Sequence, residues 1–478
     1  MGRKAVAVVM AGVLVLSGCA RRSATLDRMG GASPGTSAAF GAGADGLGDS
    51  YFPKAGNGGY DVDSYDLDLR YEPKTDTLTG TATITAVATA NLSSLNLDLT
   101  GLTVESATVG GTKAKTAHEG DELVVTPAAG VARGTRFVVE IRYGGVPKPY
   151  QEPGLGEIGF LHTDDGAVAI GEPQSAAAWF PVNDHPRDKA TYTISIEAPD
   201  GLAALSNGAL RDKESAGGWT TWTWMESKPM APYLATMVVG RYRVKESTHD
   251  GKPVVIAVDS SLSGAVDTQM ARTTEVVDYL ESKFGPYPFD AIGGIVIDDK
   301  RIRFALENQT RPIYSWAFFQ PGEDATWVIV HELAHQWYGD SVAVNDWKEI
   351  WLNEGFASYA EWLWEEDQGD QPARQTFDSF YSQADSEMWE VPPGDPGKDD
   401  LFHGSVYTRG AMTLHALRVT VGDDAFFRIL KAWAAEKANG NATTPEFIAL
   451  AERISGKQLD TLFQDWLYGT ERPSRPGR

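Results

Sequence analysis

From Tyr60 the chain alternates apolar and polar positions with a period of two. Tyr65, Leu67, Leu69 and Tyr71 are separated by Asp66, Asp68 and Arg70, the pattern of a strand buried on one face. Runs of the same kind recur at 81–87, 95–99, 123–125, 137–143, 192–196, 219–224 and 234–239, with turn signals such as Gly110-Gly111 and Asn207-Gly208 between them. Repeated short strands without a helical period predict an all-β sandwich or saddle over residues 51–247. After 253–258 the period changes. Val266, Met270, Thr273, Val277, Leu280 and Phe284 recur at helical spacing until Gly285-Pro286 ends the run. Residues 295–297 read as a short buried strand. Two further helices are predicted at 325–335 and 351–359, with the Gly-Asp and Asn-Asp pairs between Asp340 and Asp346 as the turn that sets them antiparallel. Beyond the Pro/Gly-rich passage 392–397 the chain is helical again. Thr444 is expected to cap one of these helices, with Gly456 just past its end. The fold class is α+β and multidomain: a β-domain, then a mainly helical domain over 248–478.

The chemistry concentrates in the second domain. His331-Glu332-Leu333-Ala334-His335 closes the apolar run 325–330, and residues four apart share a helix face, so both imidazoles can converge on one cation. Glu332 lies about 100° around the same turn, near the ion without binding it. That is where a carboxylate can hold and deprotonate a water. Two imidazoles leave a zinc site one protein ligand short. Glu354, on the next helix after eighteen intervening residues, supplies it if the chain folds back through 340–346. The competing reading is a surface helix with a chance match followed by an ordinary acidic helix.

Three more stretches narrow the choice. His331 to Trp337, with Trp351-Leu352-Asn353-Glu354-Gly355-Phe356-Ala357, resembles the signature of the aminopeptidase N / leukotriene hydrolase family of zinc metallopeptidases. Phe304-Ala305-Leu306-Glu307-Asn308 stands where that family has its Gly-Ala-Met-Glu-Asn exopeptidase motif, and Tyr407-Thr408-Arg409-Gly410 resembles its tyrosine-containing segment. The resemblance runs from about residue 55 onward. It implies a thermolysin-like catalytic domain, one zinc ion per chain on His331, His335 and Glu354, and Glu332 as general base. It also implies Tyr407 as a donor to the developing oxyanion, and Ala305, Glu307 and Asn308 on an edge strand that binds substrate. Glu172-Pro173-Gln174-Ser175, ahead of the aromatic and Asp-rich loop 179–186, resembles the segment from which a Gln or Glu reaches the substrate amine; Gln174 is the candidate. Phe304 for Gly and Leu306 for Met alter the substrate wall, whereas Arg409 for the usual Lys keeps a positive charge beside the tyrosine. Larger members carry a long C-terminal helical domain over the site; the eighty or so residues beyond the Pro/Gly-rich passage imply that this cover is absent or reduced.

Composition adds constraints. A formal charge of −23 and no basic patch exclude nucleic acid as a partner. Met1 to Cys19 reads as a leader, with Arg3 and Lys4 before the apolar run 5–16, and Leu16-Ser17-Gly18-Cys19 resembles the bacterial lipobox. Cys19 is then the lipidated residue that anchors an exported protein to the membrane. The alternative is an ordinary secretory signal in which Cys19 is discarded. It is the only cysteine, so internal disulfides are excluded. Residues 20–50, rich in Gly, Ala and Ser, read as a flexible tether. The expected activity is release of N-terminal residues from peptides with a free amine. A zinc endopeptidase without amine selection and a catalytically silent surface binding protein are the alternatives.

Overall fold

The structure, a computed structural model, describes residues 39–477; the expected leader, Cys19 and the first part of the expected tether lie outside the described residues. The expectation of a tether as far as residue 50 fails over its last part. From Phe40 the chain is already packed: Gly41–Ala42 pairs with Leu92–Asp98, and the carboxylate of buried Asp49 accepts from the Trp347 amide at 2.8 Å.

The first half is built on an eight-stranded sheet. Its centre runs Trp219–Met230, Ala190–Pro199, Tyr60–Glu72, Thr77–Ala88 and Arg136–Gly145, antiparallel except for the parallel pair of Tyr60–Glu72 with Ala190–Pro199. The alternation read from the sequence sets the burial: Tyr65, Leu67, Leu69 and Tyr71 are each at most 3% exposed, whereas Asp66, Asp68 and Arg70 face out. Tyr65 stacks on Tyr192 across the parallel pair, centroids 4.9 Å apart. A four-stranded and a five-stranded sheet complete this half. The second also uses Tyr150–Glu152, Gly156–His162 and Ala203–Ser206, strands too short or too polar for the period-two pattern to show.

The second half begins with a mixed five-stranded sheet. Tyr242–His249, across which the expected boundary at 247 falls, forms a hairpin with Lys252–Asp259, which continues in parallel to Ile292–Ile297 and Ile313–Ser315. Ala305–Leu306 closes the sheet as its edge strand, antiparallel to Ile313–Ser315. The expected single helix at 266–284 is two, α1 (Gly264–Met270) and α2 (Thr273–Phe284), because the chain turns at Ala271-Arg272 and the Thr273 hydroxyl donates to the Met270 carbonyl at 2.7 Å. α3 (Thr326–Ala334) and α4 (Trp351–Gln368) pack together as expected. Their connection is more than a turn. Val342–Val344 pairs with the remote strand Gly440–Ala442, and the Asp346 side chain caps a single helical turn, Trp347–Glu349. Near the C-terminus the cap is Thr443, not Thr444. Glu446 stands three residues on and bonds back to it, completing a capping box, and the Thr444 hydroxyl instead accepts from the Trp351 indole at 2.9 Å.

The two halves share one core and a dense polar seam. The Arg187 guanidinium donates to the Asn345 carbonyl at 2.7 and 3.0 Å, and Lys189 donates to the carbonyls of Asp340 and Ser341. Fully buried Arg311 donates to carbonyls from both halves, Ser206, Gly208, Val255 and Ile292. Each of these acceptors is a backbone oxygen, so the seam fixes chain positions rather than pairing charges.

Candidate metal centre and substrate cleft

The buried faces of α3 and α4 bring together the three residues expected to hold a metal. The ligand atoms of His331, His335 and Glu354 lie within 4.8 Å of one another, and all three residues are buried. Glu354 Oε2 is 3.1 Å from His331 Nε2 and 3.5 Å from His335 Nε2. The far ring nitrogens are engaged elsewhere: His331 Nδ1 donates to Glu361 Oε1 at 2.6 Å and His335 Nδ1 to the Tyr338 carbonyl at 3.1 Å. Those bonds engage the Nδ1 protons, which would leave each Nε2 free to give its lone pair to a metal ion at the common point. Two imidazole nitrogens and one carboxylate oxygen, oriented by such outer bonds, are a donor set that fits zinc and keeps a position open. Glu361 was missed in the sequence. Its signal was there, seven residues after Glu354 and hence on the same face of α4.

These residues line a cleft of about 400 Å³. Glu332, Glu307, Ala305 and Tyr407 also line it. Glu307 sits within 4.8 Å of Glu332 and His335, its carboxylate accepting from the Tyr233 hydroxyl at 2.8 Å. The Gln336 side-chain amide donates to the Glu307 carbonyl at 3.0 Å and its oxygen accepts from the Thr310 amide, which pins the edge strand to the end of α3. Tyr407 lies on a five-residue π-helical turn, Ser405–Arg409, and its ring faces that of His331 at 6.1 Å and 24°. Such turns are common at functional sites because they re-aim a side chain.

Three expectations need correction. Gln174 does not reach the cleft; the chain bends through 172–174 and turns it into a separate cavity of about 200 Å³ beside Asp98 and Tyr150. Glu172 lines the cleft in its place, 2% exposed, with Oε1 lacking any protein partner. Asn308 is fully buried behind the edge strand, where its amide donates to the Leu234 carbonyl at 2.9 Å. Arg409 brings no charge to Tyr407: its guanidinium donates to the carbonyls of Trp389, Trp466, Asp465 and Gly469 on the far side. Phe304 and Leu306 do line the cleft, as their places in the motif implied.

The cleft is electrostatically one-sided. Burial lifts Glu332 to about 8 despite the two nearby imidazoles. It also raises Glu172, with Glu307 and Glu354 adding to the effect, and Glu307 rises for the same reason, offset by His335. Burial opposes the charged form of Glu354 as well, but His335 and His331 outweigh it and hold that carboxyl at about 2. Burial would likewise lower His335, yet Glu354 and Glu307 carry it up to about 9. Carboxylates outnumber cations, and the groups that relieve such a site are a metal ion and an ammonium.

The chain is similar to known proteins in sequence and fold. The peptidase family M1 domain model matches residues 268–466, and the peptidase M1 N-terminal domain model matches residues 62–234. The chain is 27% identical over 437 residues to Aminopeptidase M1 of Arabidopsis thaliana, covering 84% of this chain and 49% of that one. To Aminopeptidase N of Streptomyces lividans it is 26% identical over 438 residues, 85% of this chain and 50% of that one. It is 31% identical over 319 residues to human Glutamyl aminopeptidase, 62% of this chain and 33% of that one. The chain thus spans about half or less of these relatives' length. A crystal structure of an M1 zinc metallopeptidase from Deinococcus radiodurans superposes with a TM-score of 0.83 at 28% identity, covering 90% of this chain and 99% of that one. A mutant of that protein bound to a Tyr-Ser-Ala substrate matches equally well.

Proposed function

The chain belongs to peptidase family M1, and from that premise we propose that it is a zinc aminopeptidase releasing N-terminal residues from peptides. The observation that carries the reading is Glu307, a buried carboxylate held by Tyr233 within 4.8 Å of Glu332 and His335. Zinc on His331, His335 and Glu354 would supply Lewis acidity and bring the pKa of a water toward neutrality. Glu307, with Glu172 beside it, takes the substrate ammonium in a poorly hydrated pocket, where charge-assisted bonds are strong. That contact fixes the first residue and sets the following peptide bond over the metal centre. Glu332 accepts the proton of the attacking water and returns it to the leaving amine. Burial and the surrounding glutamates keep the Tyr407 hydroxyl protonated, so it can donate to the carbonyl oxygen as negative charge develops there.

An aminoacyl-arylamide and its N-acetylated twin test this reading. The free-amine substrate should be cleaved and the acetylated one refused, with Glu307→Gln losing most of that discrimination through KM. Equal cleavage of the twins by the wild-type protein would replace it with an endopeptidase.

For location, the leader and the Leu-Ser-Gly-Cys sequence support an exported protein held to the bacterial membrane by a lipid on Cys19. Cys19→Ala should move the protein from the membrane fraction to the soluble one. A fractionation pattern that does not change would remove the anchor.

A further inference from the structure

Five consecutive residues, Arg303, Phe304, Ala305, Leu306 and Glu307, line the cleft, whereas Asn308 and Gln309 beyond them are buried and take no part in its wall. The segment therefore joins the cleft at Arg303 and leaves it at Glu307. A peptide whose ammonium sits at Glu307 and which pairs with this edge strand runs back toward Arg303, antiparallel to it. Only Ala305–Leu306 is strand and the chain bends at Phe304, so Arg303 and Glu307 are anchored no farther apart than the about 13 Å that four residues of extended chain would span. A tripeptide in the same conformation spans about 10 Å from its amine to its carboxylate.

Among the described residues, Arg303 is the only Lys or Arg in a cleft wall that also holds Glu172, Glu307, Glu332, Glu354 and Glu361. It is exposed, and among the described residues no hydrogen bond or ion pair engages it. Its neighbours are committed. Arg301 binds Asp299, Glu157 and the His162 carbonyl, and the Ile302 carbonyl accepts from Ser315 Oγ at 2.7 Å. In a chain of charge −23, with five glutamates in the cleft wall, Arg303 is the lining guanidinium that can attract a substrate carboxylate away from the metal centre.

We infer that Arg303 binds a carboxylate on the C-terminal side of the scissile bond, so that the cleft favours short peptides carrying both a free amine and a carboxylate. The carboxylate is either the terminal one of a tripeptide or an acidic side chain near the third position. This inference rests on the aminopeptidase reading.

The test compares Ala-Ala-Ala, its C-terminal amide and Ala-Ala-Glu amide on the zinc-loaded wild type, Arg303→Ala and Arg303→Lys, with an alanine arylamide as reference. The wild type should prefer the free acid over the amide by about fivefold in kcat/KM, through KM, as a partly exposed ion pair allows. Arg303→Ala should abolish that preference and Arg303→Lys regain part of it, while all three proteins hydrolyse the arylamide alike. Recovery of the preference by Ala-Ala-Glu amide assigns the contact to carboxylates of either source; its absence assigns the terminal one alone. An acid-to-amide ratio that is equal in wild type and Arg303→Ala overturns the inference and leaves the aminopeptidase reading intact. No cleavage of any free-amine substrate by the wild type overturns both.

Discussion

Glu332→Ala in the zinc-loaded protein is expected to lower kcat by about 10²–10⁴-fold, the usual contribution of a positioned general base, with metal content unchanged. The two outcomes separate because Glu332 shares α3 with His331, and His335 follows at its C-terminal cap, but Glu332 is not one of the three residues that converge on the ion. It is buried, 5% exposed, and among the described residues no hydrogen bond ties its carboxylate to the protein. Its removal therefore breaks no hydrogen bond and leaves the outer bonds to Glu361 and Tyr338 in place. Turnover of the arylamide, zinc per chain and melting temperature are the three readings. Near-normal turnover by a metal-loaded, folded Glu332→Ala protein would mean that another group moves the proton.

What the sequence discloses here depends on the range of each interaction. α3 and α4 were legible because their signal is local: an apolar run, histidines four apart, and a carboxylate on a second helix. The long strands of the first half were legible for the same reason. The shape of the cleft was not. From the β-rich half, Tyr233 bonds to Glu307 and Glu172 lines the cleft, 74 and 135 residues before Glu307 in the numbering, and no periodicity links them to it. The bend at 172–174 decides whether Glu172 or Gln174 faces the metal, and the composition of the segment is equally compatible with both. Val342–Val344 went unseen because a three-residue strand is defined by its partner, and that partner is almost a hundred residues away. Arg409 was misplaced because a side chain so long can satisfy itself on either side of its backbone. Here it found four carbonyls away from the cleft.

The same distinction assigns the β-rich half a part in the chemistry. Tyr233 holds the carboxylate proposed to read the amine, and the Asn207 amide donates to the Gln309 carbonyl at 2.9 Å, two residues past Glu307. Arg311 then clamps the next stretch of chain to Ser206 and Gly208. The proposed amine selection thus depends on a strand from one half being held in register by the other. A side chain placed 1 Å off would lose much of its effect on the reacting bond.

Glu354→Ala is expected to remove zinc along with activity, and comparison with Glu361→Gln shows why. Glu354 brings the only negative charge among the three convergent ligands, at 3.1 and 3.5 Å from the two Nε2 atoms. Without it a divalent ion would enter a buried site with two neutral donors and no formal counter-charge among them. Glu361 acts one bond further out, accepting from His331 Nδ1 at 2.6 Å and fixing its tautomer. Loss of such an outer partner costs about 10–100-fold in metal affinity, so Glu361→Gln should still load at higher zinc and regain turnover as it does. Glu354→Ala should not load at the same concentrations. Stability gives an independent reading. An ion at 1,000 times its dissociation constant stabilises the folded state by about 4 kcal/mol. Chelation should therefore lower the melting temperature of the wild type and of zinc-saturated Glu361→Gln, and leave that of Glu354→Ala where it was. One zinc per chain in Glu354→Ala, with a chelator-sensitive melt like that of the wild type, would show that the ion is held by a different set of side chains.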